Sequence, residues 1–127
     1  MLLVGVWLLL WTGYTCAKAL VLDADVLIEN NRPGVMKRLG LGYEDLKREK
    51  PGLIYCSISA FGQEGPRSEE GGFDLTMQAM SCIMSVTGER YDLPGGGPQK
   101  VGVAVADLFT GMYATNAIVA ALFHRER

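Results

Sequence analysis

The segment Leu53–Ser59, with the sequence LIYCSIS, constrains the fold of this chain more than any other. It is a continuous apolar run between two segments of helical character, without the alternation of apolar and polar residues seen in a half-exposed strand. A strand of this kind is buried on both faces, which is typical of a parallel sheet covered by helices. The segment therefore predicts an α/β fold with a partial Rossmann-like parallel sheet flanked by helices.

The rest of the chain fits an alternation of strands and helices. Val21–Glu29 is short, apolar and rich in β-branched residues, and it predicts a second buried strand. Leu108–His124 is nearly all apolar and predicts a long helix that is buried on most of its faces. Shorter helices are expected at residues 35–39, 43–50 and 73–86, with glycine-containing loops at 61–72 and 89–98.

Composition and charge exclude several classes of function. The 127 residues suffice for one domain, and the net charge is only −2, with acidic and basic residues interspersed. No basic run could neutralise a phosphate backbone, so we expect no nucleic-acid partner. The three cysteines are too scattered for a disulfide framework or a zinc site, and His124 has no metal-binding partner in the sequence. We therefore expect no metal and a reducing, cytoplasmic location.

The first residues form an apolar segment that does not fit the α/β pattern. The block MLLVGVWLLLW is shorter than the ~20 residues that span a bilayer, so we expect no membrane partner. Ala17-Lys18-Ala19 resembles a signal-peptide cleavage site, but the positively charged start of a signal peptide is missing. We interpret residues 1–19 as a foreign start and residues 20–127 as the domain. A true signal peptide, and therefore a secreted protein, is the alternative.

Several motifs occur in an order that resembles one enzyme family. They are Ala24–Gly34 (ADVLIENNRPG), Leu39–Tyr43 (LGLGY), Leu53–Ser59, Phe61–Pro66 (FGQEGP), Phe73-Asp74, Gln78–Met80, Thr87–Glu89 and Val101–Asp107. Together they resemble the class III CoA-transferases, the CaiB/BaiF type that includes formyl-CoA and carnitine CoA-transferases. The resemblance covers residues 20–127 and implies that the segment before Asp107 is a strand.

The resemblance implies that the chain is an acyl-CoA:carboxylate CoA-transferase with Asp107 as the nucleophile. In the family, an aspartate attacks the thioester of an acyl-CoA and holds the acyl group as a mixed anhydride. The anhydride is then opened by the CoA thiolate to give an aspartyl-CoA thioester, which the acceptor acid attacks. From the sequence alone, an aspartate at the start of a helix is usually a cap. The resemblance favours the nucleophile, and one side chain can do both.

The resemblance also implies which residues contact coenzyme A. Asn30, Asn31 and Arg38 match positions that contact it in the family, and amide and guanidinium donors suit its phosphates and adenine. Phe73 matches a position near the CoA thiol in some members. Asn31 departs from the pattern, because the family often has an aromatic residue there. Coenzyme A or acyl-CoA is thus the expected substrate, with a carboxylic acid as its partner.

Two further functions remain open at this point. Typical members of the family are much longer and form interlocked homodimers, so this chain is expected to be a fragment. A truncated, non-catalytic remnant that binds coenzyme A is therefore one alternative. The other is an α-methylacyl-CoA racemase-like enzyme, but the racemases carry a catalytic histidine where this chain has Phe73.

Overall fold

The computed structural model describes residues 2–127, with side chains described from residue 12 onward. The elements follow one another as α1 (Leu2–Asp23), β1 (Val26–Glu29), α2 (Val35–Arg38), α3 (Tyr43–Glu49), β2 (Ile54–Ser57), α4 (Asp74–Met80), α5 (Ile83–Thr87) and α6 (Val105–Arg125).

The two strands form a parallel sheet, as the sequence predicts. β1 pairs with β2 in a register that runs from Val26 opposite Ile54 to Glu29 opposite Ser57. α2 and α3 lie between them in the chain, so the unit is a β–α–β crossover. Because the strands are parallel, both carboxyl ends meet at one edge of the sheet. The fold class is α/β, as expected.

A small apolar core lies between α1, α3 and the sheet. Its buried side chains are Val21, Leu41, Leu46 and Leu53, and Leu46 on α3 is fully buried. Tyr14, Ala17, Leu27, Met36 and Tyr55 are partly buried and pack against them. α3 is short and polar, and the burial of Leu46 in this core is what holds the helix in place.

The prediction of a strand at residues 21–29 is wrong in its first part. α1 continues to Asp23, and the N–H of Ala24 still bonds to the carbonyl of Leu20 at 3.0 Å. Lys50 explains why the helix is favoured there, since its Nζ donates to the carbonyls of Leu22 and Ala24 at 2.8 and 2.6 Å. A cation at a helix C-terminus satisfies carbonyls that would otherwise lack partners.

α1 also crosses the predicted domain boundary at residue 19 without a break. The boundary itself and the origin of residues 1–19 stay predictions. The apolar block at residues 1–11 lies outside the part of the chain whose side chains are described.

The helix predicted at residues 73–86 is two helices. It breaks after α4 at Cys82, whose φ of 62° is unusual for a residue other than glycine. Ser85 holds this conformation, because its backbone N–H and its Oγ both donate to the carbonyl of Cys82, at 3.1 and 2.6 Å. α4 and α5 are therefore separate helices that contact one another.

The expectation that α6 is buried on most faces is wrong for this chain, because none of its residues is buried. α4 and β2 contact it, and large apolar side chains remain exposed elsewhere along it: Leu108, Phe109, Met112, Tyr113, Val119 and Phe123. Within the described residues, α6 is the helix long and apolar enough to cross a membrane, with a mean hydropathy of 1.3. Core helices of soluble proteins share these properties. Residues 101–104, expected as a strand, are irregular.

Candidate functional site

A cleft of about 400 Å³ opens where the carboxyl ends of both strands meet the first turns of α6, and we call it the Asp107 cleft. The residues that line it are Asn30, Ile58, Ser59, Ala60, Gly72, Phe73, Met77, Ala106, Asp107, Thr110 and Gly111. Ligands of open α/β sheets gather at this edge, because the loops that follow the strands converge there.

A second cleft of about 220 Å³ adjoins it, and we call it the Asn31 cleft. It is lined by Asn30, Asn31, Arg32, Pro33, Ser59, Ala60, Glu70, Gly71, Gly72 and Phe73. The two clefts share five of these lining residues: Asn30, Ser59, Ala60, Gly72 and Phe73. Together they form one continuous surface that could accept an extended ligand.

This surface gathers four of the five residues that the sequence singled out. Asn30, Phe73 and Asp107 line the Asp107 cleft, and Asn31 lines its neighbour. Arg38 is an exposed residue at the end of α2 and lines neither cleft. The chain therefore brings the nucleophile candidate to the same place as two amides and an aromatic ring.

Asp107 occupies the first turn of α6. The N-cap of this helix is Ala104, so Asp107 lies three residues inside and not at the cap itself. Asp107 is exposed, and it lines the Asp107 cleft. The positive end of the helix macrodipole favours a carboxylate at this point.

α4 supplies the cap that α6 lacks. Asp74 Oδ1 accepts a hydrogen bond from the backbone N–H of Ala106 at 2.8 Å, and Asp74 Oδ2 accepts one from Gln78 Nε2 at 2.6 Å. Gln78 is fully buried and bonds to the segment before α6, accepting from the N–H of Val101 at 2.8 Å and donating to the carbonyl of Val103 at 3.2 Å.

The sequence analysis matched Asp74 and Gln78 to the family but assigned them no role. Their spacing of four residues on one helix, an acid followed by an amide, was the available signal, because such a pair is adjacent on a helix surface. What the spacing could not show is that Asp74 bonds to the start of α6 and Gln78 to the segment that precedes it.

Asn31 is held by the end of β1. Its backbone N–H and its side-chain Nδ2 both donate to Glu29 Oε2, at 2.7 and 3.2 Å. Ser57 Oγ donates to the other carboxylate oxygen of Glu29. Gln63 Nε2 in turn donates to Ser57 Oγ at 2.7 Å. This network joins both strand ends to the turn at Gly62 and holds the side chain of Asn31 at the border of its cleft.

Phe73 stands over both clefts with 82% of its surface exposed. It is the extended residue that precedes α4. The loop before it passes very close to the segment that follows β2, because a Cβ on Gly72 would lie 2.6 Å from the Cβ of Ala60, and it also approaches α4, where Met77 Cε would lie 2.7 Å away. An exposed ring next to polar groups is suited to packing on a flat or apolar part of a ligand.

An ion pair borders the Asn31 cleft. Arg67 Nε and Nη2 donate to the two carboxylate oxygens of Glu70 at 2.9 and 2.6 Å. This hydrogen bonding raises the pKa of Arg67 and lowers the pKa of Glu70. The Arg67 guanidinium also stacks 4.1 Å from the centre of the Phe61 ring. Among the described residues, no group of three or more acidic, histidine or cysteine side chains could hold a metal ion.

Comparison with known proteins identifies the relatives of this chain. The profile of CoA-transferase family III matches residues 11–127. The succinate–glutarate CoA-transferase of Agrobacterium fabrum is 50% identical over 115 residues, which are 91% of this chain and 28% of that enzyme. The acetyl-CoA:oxalate CoA-transferase of Acetobacter aceti is 48% identical over 109 residues, which are 85% of this chain and 27% of that enzyme.

A solved structure agrees with the sequence relatives. The crystal structure of a CAIB/BAIF family protein from Brucella suis matches with a TM-score of 0.85 and 47% sequence identity. The match covers 91% of this chain and 30% of that protein. The chain thus spans less than a third of the length of the relatives it matches.

Proposed function

The chain belongs to CoA-transferase family III, and on this premise we propose that the protein moves coenzyme A from an acyl-CoA to a carboxylic acid through the carboxylate of Asp107. The observation that carries the proposal is the Asp107 cleft. It places an accessible carboxylate, at the start of a helix, beside Asn30 and Phe73 at the carboxyl edge of a parallel sheet.

The chemistry needs a group that accepts an acyl unit and returns it. A carboxylate oxygen of Asp107 attacks the thioester carbonyl, the C–S bond breaks, and the CoA thiolate leaves a mixed anhydride. The thiolate then attacks the aspartyl carbonyl of the anhydride, which releases the donor acid and forms an aspartyl-CoA thioester. The acceptor carboxylate repeats these two steps in reverse, and the Asp107 carboxylate is regenerated. No net proton transfer is required.

We assign the binding of coenzyme A to the joined clefts. The Asn30 and Asn31 amides can donate to phosphate or carbonyl oxygens, and the exposed Phe73 ring can cover the pantetheine arm near the thiol. Arg38 lies outside the clefts, and its predicted contact would have to be made with the distal, phosphate-bearing end of the cofactor. The roles of all four residues are proposals.

The names of the relatives suggest the class of acid. One acts on succinate and glutarate and another on oxalate, all of which are small dicarboxylic acids. We propose a small dicarboxylate as the acceptor. We also propose that the protein is a homodimer and that it is located in the cytoplasm. In the complete domain we expect a Rossmann-like sheet.

The racemase-like alternative is not favoured, because a phenylalanine at position 73 cannot transfer a proton. A non-catalytic chain that binds coenzyme A is the remaining rival, and it predicts binding without covalent chemistry. It is separated from the proposed function by trapping the covalent intermediate.

The test is intact-mass spectrometry of the protein after incubation with succinyl-CoA, acetyl-CoA or oxalyl-CoA. We expect a covalent adduct that hydroxylamine converts to an aspartyl hydroxamate, located at Asp107 by peptide mapping and abolished by Asp107→Ala. Asp92→Ala is the matched control, because Asp92 is exposed and pairs with Arg90 in a loop outside the clefts. A folded protein that binds acyl-CoA without forming an adduct would support the non-catalytic rival.

A further inference from the structure

We infer that Asp74, held in place by Gln78, is a positioning residue for Asp107. The inference rests on the proposed role of Asp107 and names the device that sets its carboxylate in the cleft. Nothing in the family resemblance or in the names of the relatives assigns a function to this pair.

First, the backbone N–H groups at the start of α6 lack a local cap. The first N–H groups of a helix have no partner within the helix, and an N-cap side chain normally accepts from one of them. Ala104 has no side-chain acceptor, and no side-chain cap bond is made from that position. Asp74 Oδ1 accepts from the N–H of Ala106 instead, at 2.8 Å. An acidic side chain from another helix therefore replaces the local cap.

The second step is the rigidity of the Asp74 side chain. Its other oxygen accepts from Gln78 Nε2 at 2.6 Å, so both oxygens of the carboxylate are engaged. Gln78 cannot turn away, because it is fully buried and its Oε1 accepts from the N–H of Val101 at 2.8 Å. A buried side chain whose bonds are all satisfied has one favoured orientation.

The third step connects this device to the reacting carboxylate. Asp107 follows Ala106 directly, so the backbone atom that Asp74 binds is one peptide from the nucleophile candidate. α4 also begins right after Phe73, which lines the Asp107 cleft as well. One short helix thereby sets the distance between the aromatic wall and the carboxylate. A group that acts by direct attack depends strongly on such placement.

The test exploits the direction of the bond between the two side chains. In Asp74→Asn, either the new NH₂ group faces Gln78 Nε2, which places two donors together, or it faces the Ala106 N–H. The double variant Asp74→Asn/Gln78→Glu restores a donor–acceptor pair, because the new amide at position 74 can then donate to the new carboxylate while that carboxylate still accepts from Val101. The carbonyl of Val103 loses its donor, so we expect the rescue to be incomplete. Asp92→Asn is the control for loss of an acidic charge.

Two measurements are made on each variant. The first is the rate at which succinyl-CoA labels Asp107, and we expect Asp74→Asn to be several-fold slower, because position 74 can no longer accept from both Ala106 and Gln78. We expect the double variant to recover most of the rate. The second is hydrogen exchange of the Ala106 amide, which should become about 10-fold faster in Asp74→Ala, where position 74 offers no acceptor, and stay near the wild-type rate in the double variant, where the amide oxygen can still accept.

The outcomes distinguish failure of this inference from failure of the proposed function. If the wild-type protein is labelled and Asp74→Asn is labelled at the same rate, the positioning role is overturned while the proposed function stands. If the wild-type protein is not labelled, the proposed function fails. Unchanged Ala106 exchange in Asp74→Ala would overturn the capping role in either case. A slow rate that the double variant does not rescue would also count against positioning.

Discussion

Asp74 accepts a 2.8 Å hydrogen bond from the backbone N–H of Ala106, which lies 32 residues later in the chain. α6 has an alanine at its own N-cap, so this contact between two helices replaces a local one. The start of α6, and with it the carboxylate of Asp107, is therefore specified by the packing of α4. This arrangement, and the core that supports it, can be tested by four changes.

Replacing Gln78 with leucine should reduce the stability of the protein. Leucine has a similar size, but it leaves the N–H of Val101 and one oxygen of Asp74 without their partner. Leaving such groups unsatisfied costs about 1–3 kcal/mol in the free energy of unfolding. Urea denaturation followed by circular dichroism measures the difference.

The control for this variant is Gln99→Leu. Gln99 is exposed, and its side chain makes a single contact of 3.3 Å, from Nε2 to the carbonyl of Gly95. We expect a change below about 0.5 kcal/mol there. Equal effects of the two substitutions would contradict the structural role of Gln78.

Gly72→Ala should disturb the Asp107 cleft. The new Cβ would lie 2.6 Å from the Cβ of Ala60, which has no freedom to move except with its backbone. The loop that carries Phe73 must therefore shift away from the segment that follows β2. We expect weaker binding of acyl-CoA in isothermal titration calorimetry and a loss of about 1–3 kcal/mol of stability.

Gly102→Ala is the matched control for the cleft. A Cβ at Gly102 meets no atom within 4 Å. Like Gly72, which lies shortly before α4, Gly102 lies shortly before a helix, in this case α6. Its affinity for acyl-CoA should equal that of the wild-type protein. Wild-type affinity in Gly72→Ala would show that the close contact between Gly72 and Ala60 is not needed for binding acyl-CoA.

Leu46→Ala should be the most destabilising large-to-small change in the core. Leu46 is fully buried in the cluster that joins α1, α3 and the sheet, and truncation leaves a cavity in a small core. Such substitutions cost about 2–5 kcal/mol. Leu75→Ala is the comparison, because Leu75 is 54% exposed and should change the free energy of unfolding little. Similar values for the two variants, measured by urea denaturation, would contradict the placement of the core.

The stability of the protein should decline at alkaline pH through Tyr55. Burial raises the pKa of the Tyr55 phenol above its ordinary value of 10.0, and the charge of Glu29 raises it further. The folded state therefore favours the protonated phenol more than the unfolded state does. This contribution to stability is complete below the unfolded-state pKa and is lost as the pH rises through the folded-state pKa.

The measurement compares the free energy of unfolding of the wild-type protein and Tyr55→Phe between about pH 8 and pH 11. The wild-type curve should fall more steeply above about pH 10. At lower pH, Tyr55→Phe should be slightly less stable, because it lacks the 3.2 Å bond from the phenol to the carbonyl of Leu41. Tyr91→Phe, at a residue that is 80% exposed, serves as the control. Parallel curves for the wild-type protein and Tyr55→Phe would refute the prediction.

The parts of the fold that follow from local sequence were predictable. LIYCSIS indicated a strand of a parallel sheet, and β2 pairs in parallel with β1. The expectation that this strand is buried on both faces is wrong for this chain, because all four residues of β2 are only partly buried. Gly42 and Pro51-Gly52 flank the helix that was predicted at residues 43–50, and the observed α3 (Tyr43–Glu49) differs from this prediction by one residue. Of the candidate site, Asn30, Asn31, Phe73 and Asp107 do come together, because each follows a strand or begins a helix at the same edge of the sheet.

Other features depended on contacts between distant residues. Val21 was assigned to a strand by its β-branched neighbours, but Lys50 stabilises the end of a helix there. The helix break at Cys82 could not be predicted, because no glycine or proline lies at that position. The exposure of α6 was also missed, since an apolar pattern indicates a tendency to be buried and not which element does the burying.

The sequence by itself determined the fold class, the family and which residues are candidates for the site, because apolar periodicity, turn residues and ordered motifs are local properties. Only the tertiary structure decided where α1 ends, which helix caps α6 and how Asp107 is presented to the cleft. These depend on single hydrogen bonds between side chains and backbone groups that lie 26 to 32 residues apart. Their partners are set by packing, and packing has no signature within any one segment of the chain.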